Sequence, residues 1–454
     1  MEPIHHSRRV AGGEVYDIIG VGFGAANLAL AVAMAEAPPE SKMTRLFLET
    51  KPRFVWHPGM LLPQSRLQVT VLKDLITVEN PCSRFTFLNF LKDRGRLYDF
   101  LNLRTLYPTR IEFNDYLTWV AEQFADDVRY GQEVLEIQPI STPGVTPEAP
   151  QLLEVTARDR ATRSVTTYRC RHLVLATGGE PAAPPGFDFR GRPGILHSHQ
   201  FLDRLSDFPD REAPYRFVVV GGGQSAGELF EYLMDHYPNA DVTAAIRRFA
   251  YKPVDESDFM NRIFFPEWVD YTYRLPEAKR QKFFEASKDV NYAAIDSPLI
   301  RRIYDKLYQQ KVEGRERCRV LPFLELESLE DRTDGALDLV FRDVMQETPV
   351  ALPADGLVLC TGYTWRKEHP LLDALAPWFE HDAKGGYRIE RDYRIATRDG
   401  FRPRVYLQGY CEATHGISET VLSLLPVRAQ EILRSLSVAS QSRLARSLAI
   451  TGAA

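Results

Sequence analysis

Short continuous apolar runs alternate along this chain with longer segments in which apolar residues return every three or four positions. The first kind predicts buried strands and the second predicts helices. VYDIIGVG (15–22) predicts a strand that enters a tight turn, and the apolar segment after it predicts a helix to about Ala37. TRLFLE predicts a second strand, ending at Glu49. The stretch 52–75 has too many prolines and glycines for one element and predicts loops around short segments. SRFTFLNFLKDRGRLYDFL (83–101) and EFNDYLTWVAEQFADD (112–127) have helical periodicity with aromatic faces. LLEVTARDRATRSVTTYRC (152–170) alternates and predicts a hairpin, and RHLVLATGGEP (171–181) a buried strand ending in a turn. Residues 216–248 restart the pattern of strand, turn, helix and strand. Residues 256–314 predict helices, GALDLVFRD (335–343) and DGLVLCTGY (355–363) strands, and 418–437 an apolar helix. Residues 1–14 read as a polar tail and SRLARSLAITGAA (442–454) as weakly amphipathic.

Two patterns recur. Strand, glycine-rich turn and helix follow one another in YDIIGVGFGAANLAL (16–30) and again in FVVVGGGQSAGELF (217–230). The strand end LVLATGG (173–179) returns as LVLCTGY (357–363). The simplest topology is α/β, with one unit inserted into another. The chain leaves the first unit after LVLATGG and returns with LVLCTGY. The expected limits are 14–210 with 350–454 for the first unit, 211–255 with 315–349 for the second, and 256–314 for a smaller helix-rich region.

Gly20, Gly22 and Ala25 fit GxGxxA, and so do Gly221, Gly223 and Ala226. In this pattern the first glycine permits the tight turn and the second lets the backbone approach a pyrophosphate. The third small residue lets helix and strand pack closely. The free N–H groups and dipole of the helix N-terminus then hold the anion. This predicts two Rossmann-like dinucleotide-binding domains, with Gly24 in the first turn and Gln224 and Ser225 opening the second helix. The strand after the first turn ends in Glu49, a carboxylate suited to the ribose diol of FAD or NAD. The strand after the second ends in Arg247 and Arg248, cations suited to the 2′-phosphate of NADPH. A solvated surface pair is the competing reading of those arginines. A second turn is needed because the first is already occupied. FAD and NADPH in one chain imply hydride transfer from nicotinamide to flavin.

Composition narrows the choice of electron acceptor. The chain has 454 residues, 44% hydrophobic and 26% charged, which sets aside disordered and fibrous classes. A net charge of -5 offers no basic excess for nucleic acid. Cys82, Cys170, Cys318, Cys360 and Cys411 are scattered, without a CxxC pair or metal-ligand spacing. A disulfide relay and an iron–sulfur centre are therefore not expected, which leaves oxygen as the acceptor and a monooxygenase as the reading. The start has no apolar h-region, and AANLALAVAMA (25–35) is too short to span a bilayer. No stable membrane insertion and a cytoplasmic location are expected.

WHPGMLLP (56–63), LQVTVLKDLIT (67–77), SRFTFLNFL (83–91), KPVDESDFMN (252–261), VNYAAID (290–296), CTGY (360–363) and THGISETVLSLLPVR (414–428) occur in order. Together they resemble the flavin-dependent N-hydroxylating monooxygenases, most closely the ornithine N-hydroxylases of siderophore biosynthesis, over about 16–433. The resemblance implies that NADPH reduces FAD and that oxygen forms a flavin C4a-hydroperoxide. The δ-amine of L-ornithine then attacks its distal oxygen. It further implies that Gln68 lies at the flavin edge and that Lys73, Asn261 and Asn291 hold the amino-acid end of the substrate. Gln68, Lys73 and Asn291 are the catalytic set. Arg247 contacts NADPH, and Asn27, Trp56, His57, Thr361, Gly362 and Ser423 join the cofactor-binding set, with no catalytic role for His57. A homo-oligomer is expected from the same source.

Each residue also has a plainer use. Lys73 beside Asp74 fits a surface ion pair, Asn261 and Asn291 fit helix caps, and Trp56 fits the core. Within the class, lysine and diamine N-hydroxylation are the rivals. Outside it stand a flavin reductase that serves a partner and a non-catalytic dinucleotide-binding protein. Lys73 adds one hint, because a diamine has no carboxylate for it to bind.

Overall fold

The computed structural model describes residues 15–140, 149–184, 187 and 189–451. The polar tail expected over 1–14 lies outside the described residues, as do the side chains of 442–454. The strand Val15–Val21 lies between Arg45–Glu49 and Val165–Leu175, parallel to both. Val128–Tyr130 extends the sheet beyond Arg45–Glu49, and Arg404–Leu407 pairs in parallel with His172 to Leu175. The far half of Val165–Leu175 turns antiparallel partners outward: Leu152–Asp159 and then Gln132–Ile140. The parallel strands Val15–Val21, Arg45–Glu49 and Arg404–Leu407 are buried on both faces along most of their length and so read as unbroken apolar runs, whereas the antiparallel Leu152–Asp159 alternates.

The helix Ala25–Ala35 follows the first turn, and all but two of its eleven residues are buried. It packs between the first sheet and the helix Leu425–Thr451, so it is apolar all round rather than on one stripe. That last helix starts at Leu425, later than the expected 418, because 417–420 and 422–424 form short 3-10 turns. Pro426 sits in its first turn, where a missing N–H costs nothing.

The second sheet is wholly parallel, in the order Cys318–Leu321, Asp241–Ala245, Arg216–Val220, Gly356–Leu359, Ile195–His197. The helix Gln224–His236 covers it, and a three-stranded antiparallel sheet, Leu324–Asp331, Leu337–Asp343 and Pro349–Ala354, stands beside it. The helices Pro266–Arg274, Glu277–Ser287 and Ser297–Val312 fill the helix-rich region. The architecture is thus α/β with two doubly wound units, the second inserted into the first.

Three details differ from the sequence reading. The strand of LVLCTGY belongs to the second sheet, where Gly356 to Leu359 pair with Phe217 to Val220. The chain rejoins the first sheet only at Arg404–Leu407. The edge strand Ile195–His197, placed by its position in the first unit, also serves the second sheet. A buried parallel strand followed by a glycine turn is what either sheet requires, so the repeat alone does not say which sheet receives it. The hairpin strand and the strand after it are also one element, Val165–Leu175. Among the described residues no helix is long and apolar enough to cross a membrane.

Candidate active site

The two glycine turns share one register when their backbones are compared. Val15–Val21 ends one residue before Gly22, and Arg216–Val220 one residue before Gly221. Gly22 has φ +84° and Gly221 φ +141°. A Cβ on Gly22 would lie 2.5 Å from the carbonyl oxygen of Ala176, and one on Gly221 would lie 2.5 Å from that of Cys360. Ala176 and Cys360 are matching positions of the LVLA and LVLC repeats. Gly24 and Gly223 are then the N-caps of the two helices. The equivalent triplets are therefore Gly22, Gly24, Asn27 and Gly221, Gly223, Ala226, which corrects the first GxGxxA assignment. Gly20 lies in the strand, where a Cβ would strike the Phe47 ring at 2.4 Å, so packing alone requires glycine there.

At Gly24 a methyl group would meet nothing within 4 Å, and the same holds at Gly222 in the second turn, whereas at Gly223 it would lie 3.5 Å from the Ala293 Cα. The first helix N-terminus thus faces open space and the second lies beside the Ala293 loop, each with the small-residue turn that a pyrophosphate cradle needs. Beside the first turn, Glu49 is buried; its Oε2 accepts the Phe23 N–H at 2.7 Å and its Oε1 the Lys51 N–H at 2.9 Å. Each oxygen keeps a lone pair for a ribose hydroxyl. Beside the second turn, Arg247 is 73% exposed and meets Glu325 at 3.2 Å. Arg248 is tied down instead, to the Ala293 carbonyl at 3.3 Å and to Asp289. The residues present fit a diol-bearing dinucleotide in the first unit and a phosphorylated ribose in the second.

Asn27 braces the first turn from within. It is fully buried; its amide N–H donates to the Gly22 carbonyl at 2.6 Å, and its oxygen accepts Gln408 at 2.9 Å. Gln408 accepts in turn from Arg428 at 3.1 Å, and Arg428 pairs with Glu419 at 2.6 Å, both side chains buried. Glu419 also receives the Gly409 N–H at 2.7 Å. The motif THGISETVLSLLPVR held Glu419 and Arg428, but their partnership with Asn27 is visible only in the fold.

The loop after Glu49 runs toward the second unit. The Trp56 N–H donates to Asn114 Oδ1 at 2.8 Å, and the Trp56 ring lies edge-on to Phe113. His57 has φ +46°; desolvation by surrounding protein, then Arg110 and Lys51, push its pKa down to about 4. Its imidazole is neutral at ordinary pH. Gln68 Nε2 donates to Gln224 Oε1 at 3.1 Å. Gln224 is itself held by Glu228 at 2.9 Å and by Asp296, whose backbone N–H donates to Gln224 Oε1 at 2.9 Å. Glu228 pairs with Arg110 at 2.8 Å, both largely buried, and burial raises the Glu228 pKa. Asp296 caps the helix Ser297–Val312. The first unit, the second unit and the helix-rich region therefore meet at Gln224, whose amide the protein already uses at both ends. Ser225 follows it in the helix. Thr361 donates to the Ala182 carbonyl at 2.5 Å, and Gly362, at φ +78°, accepts the Ala182 N–H, closing the small ladder Glu180–Pro181 with Tyr363–Thr364 where the units cross.

Of the expected amino-acid contacts, Lys73 and Asn261 lie on segments that meet at Phe264, whereas Asn291 lies on a separate loop. Asp74 is buried and gives its oxygens to Ile76, Thr77 and Phe87, so it does not pair with Lys73. Lys73 is half-buried, and desolvation holds its pKa below the ordinary lysine range. Its Nζ lies 6.0 Å from the centre of the Phe264 ring, with no carboxylate within 4.0 Å among the described residues. Phe264 and Asn261 lie three apart on the 3-10 turn Met260–Phe264, so they share a face. Asn261 Nδ2 donates to the Glu256 carbonyl at 3.0 Å, which leaves Oδ1 as a free acceptor. The turn Leu422–Leu424, with Ser423 buried in it, packs on Val71–Lys73, and 417–420 packs on Met260–Phe264. Asn291 is exposed at the start of the loop that carries Ala293 against Gly223. The next residue, Tyr292, donates to Glu412, whose carboxyl burial pushes up to about 7. The Arg110–Glu228 pair and the Tyr292–Glu412 contact carry no local sequence signature.

Comparisons with known proteins agree with this geometry. The family described as L-lysine 6-monooxygenase/L-ornithine 5-monooxygenase matches residues 14–365. The chain is 43% identical over 405 residues to L-ornithine N(5)-monooxygenase of Burkholderia cepacia, spanning 88% of this chain and 90% of that one. The solved ornithine hydroxylase of Pseudomonas aeruginosa superposes with a TM-score of 0.87 at 37% identity, over 94% of this chain and 100% of that one. The ornithine N-hydroxylase of Kutzneria sp. 744, solved with reduced FAD, NADP+ and L-ornithine, also gives 0.87, at 36% identity over 93% of this chain and 99% of that one.

Proposed function

Because the chain belongs to the L-lysine 6-monooxygenase/L-ornithine 5-monooxygenase family, we propose that it hydroxylates the δ-amino nitrogen of L-ornithine with FAD, NADPH and dioxygen, for a hydroxamate siderophore. The chemistry the two cofactors supply when bound is hydride transfer followed by activation of dioxygen. The first unit takes FAD, its pyrophosphate on the turn Gly22–Gly24 and its ribose on Glu49. The second takes NADPH on Gly221–Gly223 and Arg247, and with it go the strands 195–197 and 356–359. The region 256–314 supplies the substrate wall.

One observation carries the substrate assignment: Lys73 is a half-buried cation with no carboxylate of its own among the described residues. An α-carboxylate supplies the missing partner. Asn261 Oδ1 accepts from the α-ammonium, and the exposed amide of Asn291 closes the same end. Fixing that end leaves only the terminal nitrogen free to reach the reacting oxygen, so orientation does much of the work. Gln68, held by Gln224, sets the flavin edge, and the braces on Gln224 help keep water out of the junction. Thr361, Gly362, Trp56 and His57 shape the cofactor cleft, and Ser423 backs the turn that bears Lys73.

A cytoplasmic location is supported by five free thiols, three of them buried. A homo-oligomer is supported by the apolar side chains exposed between Tyr98 and Ile111, among them Leu101 and Leu103. The deciding experiment is mass spectrometry of L-ornithine incubated with enzyme, FAD and NADPH, with L-lysine and putrescine in parallel. A single added oxygen on ornithine is expected, and faster turnover of lysine or putrescine overturns the assignment.

A further inference from the structure

Of the large apolar side chains that the second unit leaves open, Phe249 and Met345 among the described residues, Phe249 is the more exposed. Phe249 is 75% exposed. It stands two residues after Arg247, in the segment that leaves the strand Asp241–Ala245. Its ring lies 6.0 Å from that of Phe323, tilted by 37°. Phe323 has φ +62°, a left-handed conformation that bulky side chains seldom adopt and that persists only where surroundings enforce it. The surroundings are visible. The Phe323 N–H donates to the Arg248 carbonyl at 3.3 Å, its own carbonyl accepts the Val344 N–H at 2.8 Å, and the Leu324 N–H donates to the Ile246 carbonyl at 2.9 Å.

Those bonds stitch together the segments leaving two adjacent parallel strands, Asp241–Ala245 and Cys318–Leu321. Both leave at the carboxyl edge of the sheet, where doubly wound units bind their nucleotide. The turn Gly221–Gly223 fixes the pyrophosphate end, and Arg247 marks the adenosine ribose. Glu325 holds Arg247 at 3.2 Å with one oxygen and Arg342 at 2.6 Å with the other. An exposed aromatic ring next to that cation, backed by a second ring in an enforced conformation, is a stacking surface.

We propose that Phe249, backed by Phe323, is the platform on which the adenine ring of NADPH stacks. The proposal rests on the reading of the second turn as the NADPH site. It divides recognition between an arginine for the 2′-phosphate and an aromatic face for the base.

The test uses 2′,5′-ADP, which carries the adenosine end without nicotinamide, titrated calorimetrically into the FAD-loaded enzyme. Phe249→Ala weakens its binding about tenfold, whereas Phe249→Tyr and Phe249→Trp stay within about twofold of the unaltered enzyme. Reduced nicotinamide mononucleotide, which lacks adenine, binds equally to all four, and FAD content and melting temperature are unchanged. Unaltered affinity of Phe249→Ala for 2′,5′-ADP overturns the proposal, and so does an equal loss for the mononucleotide. Failure of the unaltered enzyme to bind 2′,5′-ADP, with Arg247→Ala making no difference, refutes the NADPH reading itself and the platform with it.

Discussion

Gln68 Nε2 and Gln224 Oε1 lie 3.1 Å apart and join the flavin-edge loop to the second glycine helix across 156 residues of chain. Replacing Gln224 with Ala removes the side chain that accepts from the Gln68 amide and frees Asp296 and Glu228 as well. A lost hydrogen bond of about 1 kcal/mol corresponds to roughly a fivefold effect. Gln224→Ala is expected to raise the share of NADPH electrons lost to hydrogen peroxide by about that factor, while FAD stays bound. Peroxide and hydroxylated product measured in the same reaction decide the matter; an unchanged ratio rejects the coupling role.

Lys73→Ala removes the cation proposed for the α-carboxylate. A hydrogen bond to a charged group contributes about 1.5–3 kcal/mol, so KM for L-ornithine is expected to rise roughly 10- to 100-fold. Putrescine has no carboxylate, so its slow turnover is expected to be unaffected. Steady-state kinetics with both amines provide the check, and an equal loss for both assigns Lys73 a structural part instead.

Gly22 and Gly24 separate fold from cofactor. A Cβ at Gly22 collides with backbone at 2.5 Å, whereas one at Gly24 has open space. Gly22→Ala is expected to destabilise the cofactor-free protein by about 1–3 kcal/mol. Gly24→Ala leaves its unfolding midpoint in place and weakens FAD binding only. Urea unfolding of the apoprotein, paired with FAD titration, distinguishes them.

Glu412 gives a pH signature. Its carboxyl is pushed up to about 7 by burial, with Glu419 adding repulsion and the Tyr292 hydrogen bond opposing the shift. A folded-state pKa raised above the unfolded one stabilises the fold at low pH. That contribution is complete below the ordinary carboxyl range and fades as pH rises through about 7. Glu412→Gln is expected to remove the dependence and to gain about 2 kcal/mol relative to the parent between about pH 5 and pH 8, after allowing for partial exposure. Melting temperatures across that range give the comparison, and parallel curves reject it.

The strand, turn and helix units were legible because each is a local pattern: an apolar run, a glycine that must turn, and a helix behind it. The register of the first turn was not. GxG spacing occurs at both Gly20–Gly22 and Gly22–Gly24, and the end of the strand, the positive φ at Gly22 and the N-cap at Gly24 decide between them. LVLCTGY went to the wrong sheet because burial on both faces erases any mark of which neighbours a strand has. In the site, Lys73 and Asn261 were found through ordered motifs, and the structure brings their segments together at Phe264. Arg110 and Glu228 were missed: they lie on different helices far apart in sequence, and neither position has a local reason to be ionic.

The brace that runs from Gly22 through Asn27 and Gln408 to Arg428 and Glu419 joins segments 381 residues apart at its central bond. On the ribosome the first cofactor turn therefore emerges long before its supports. The nascent chain carries that turn unbraced until Gln408 and Arg428 have been made. Firm FAD loading then waits for those two distant segments to meet.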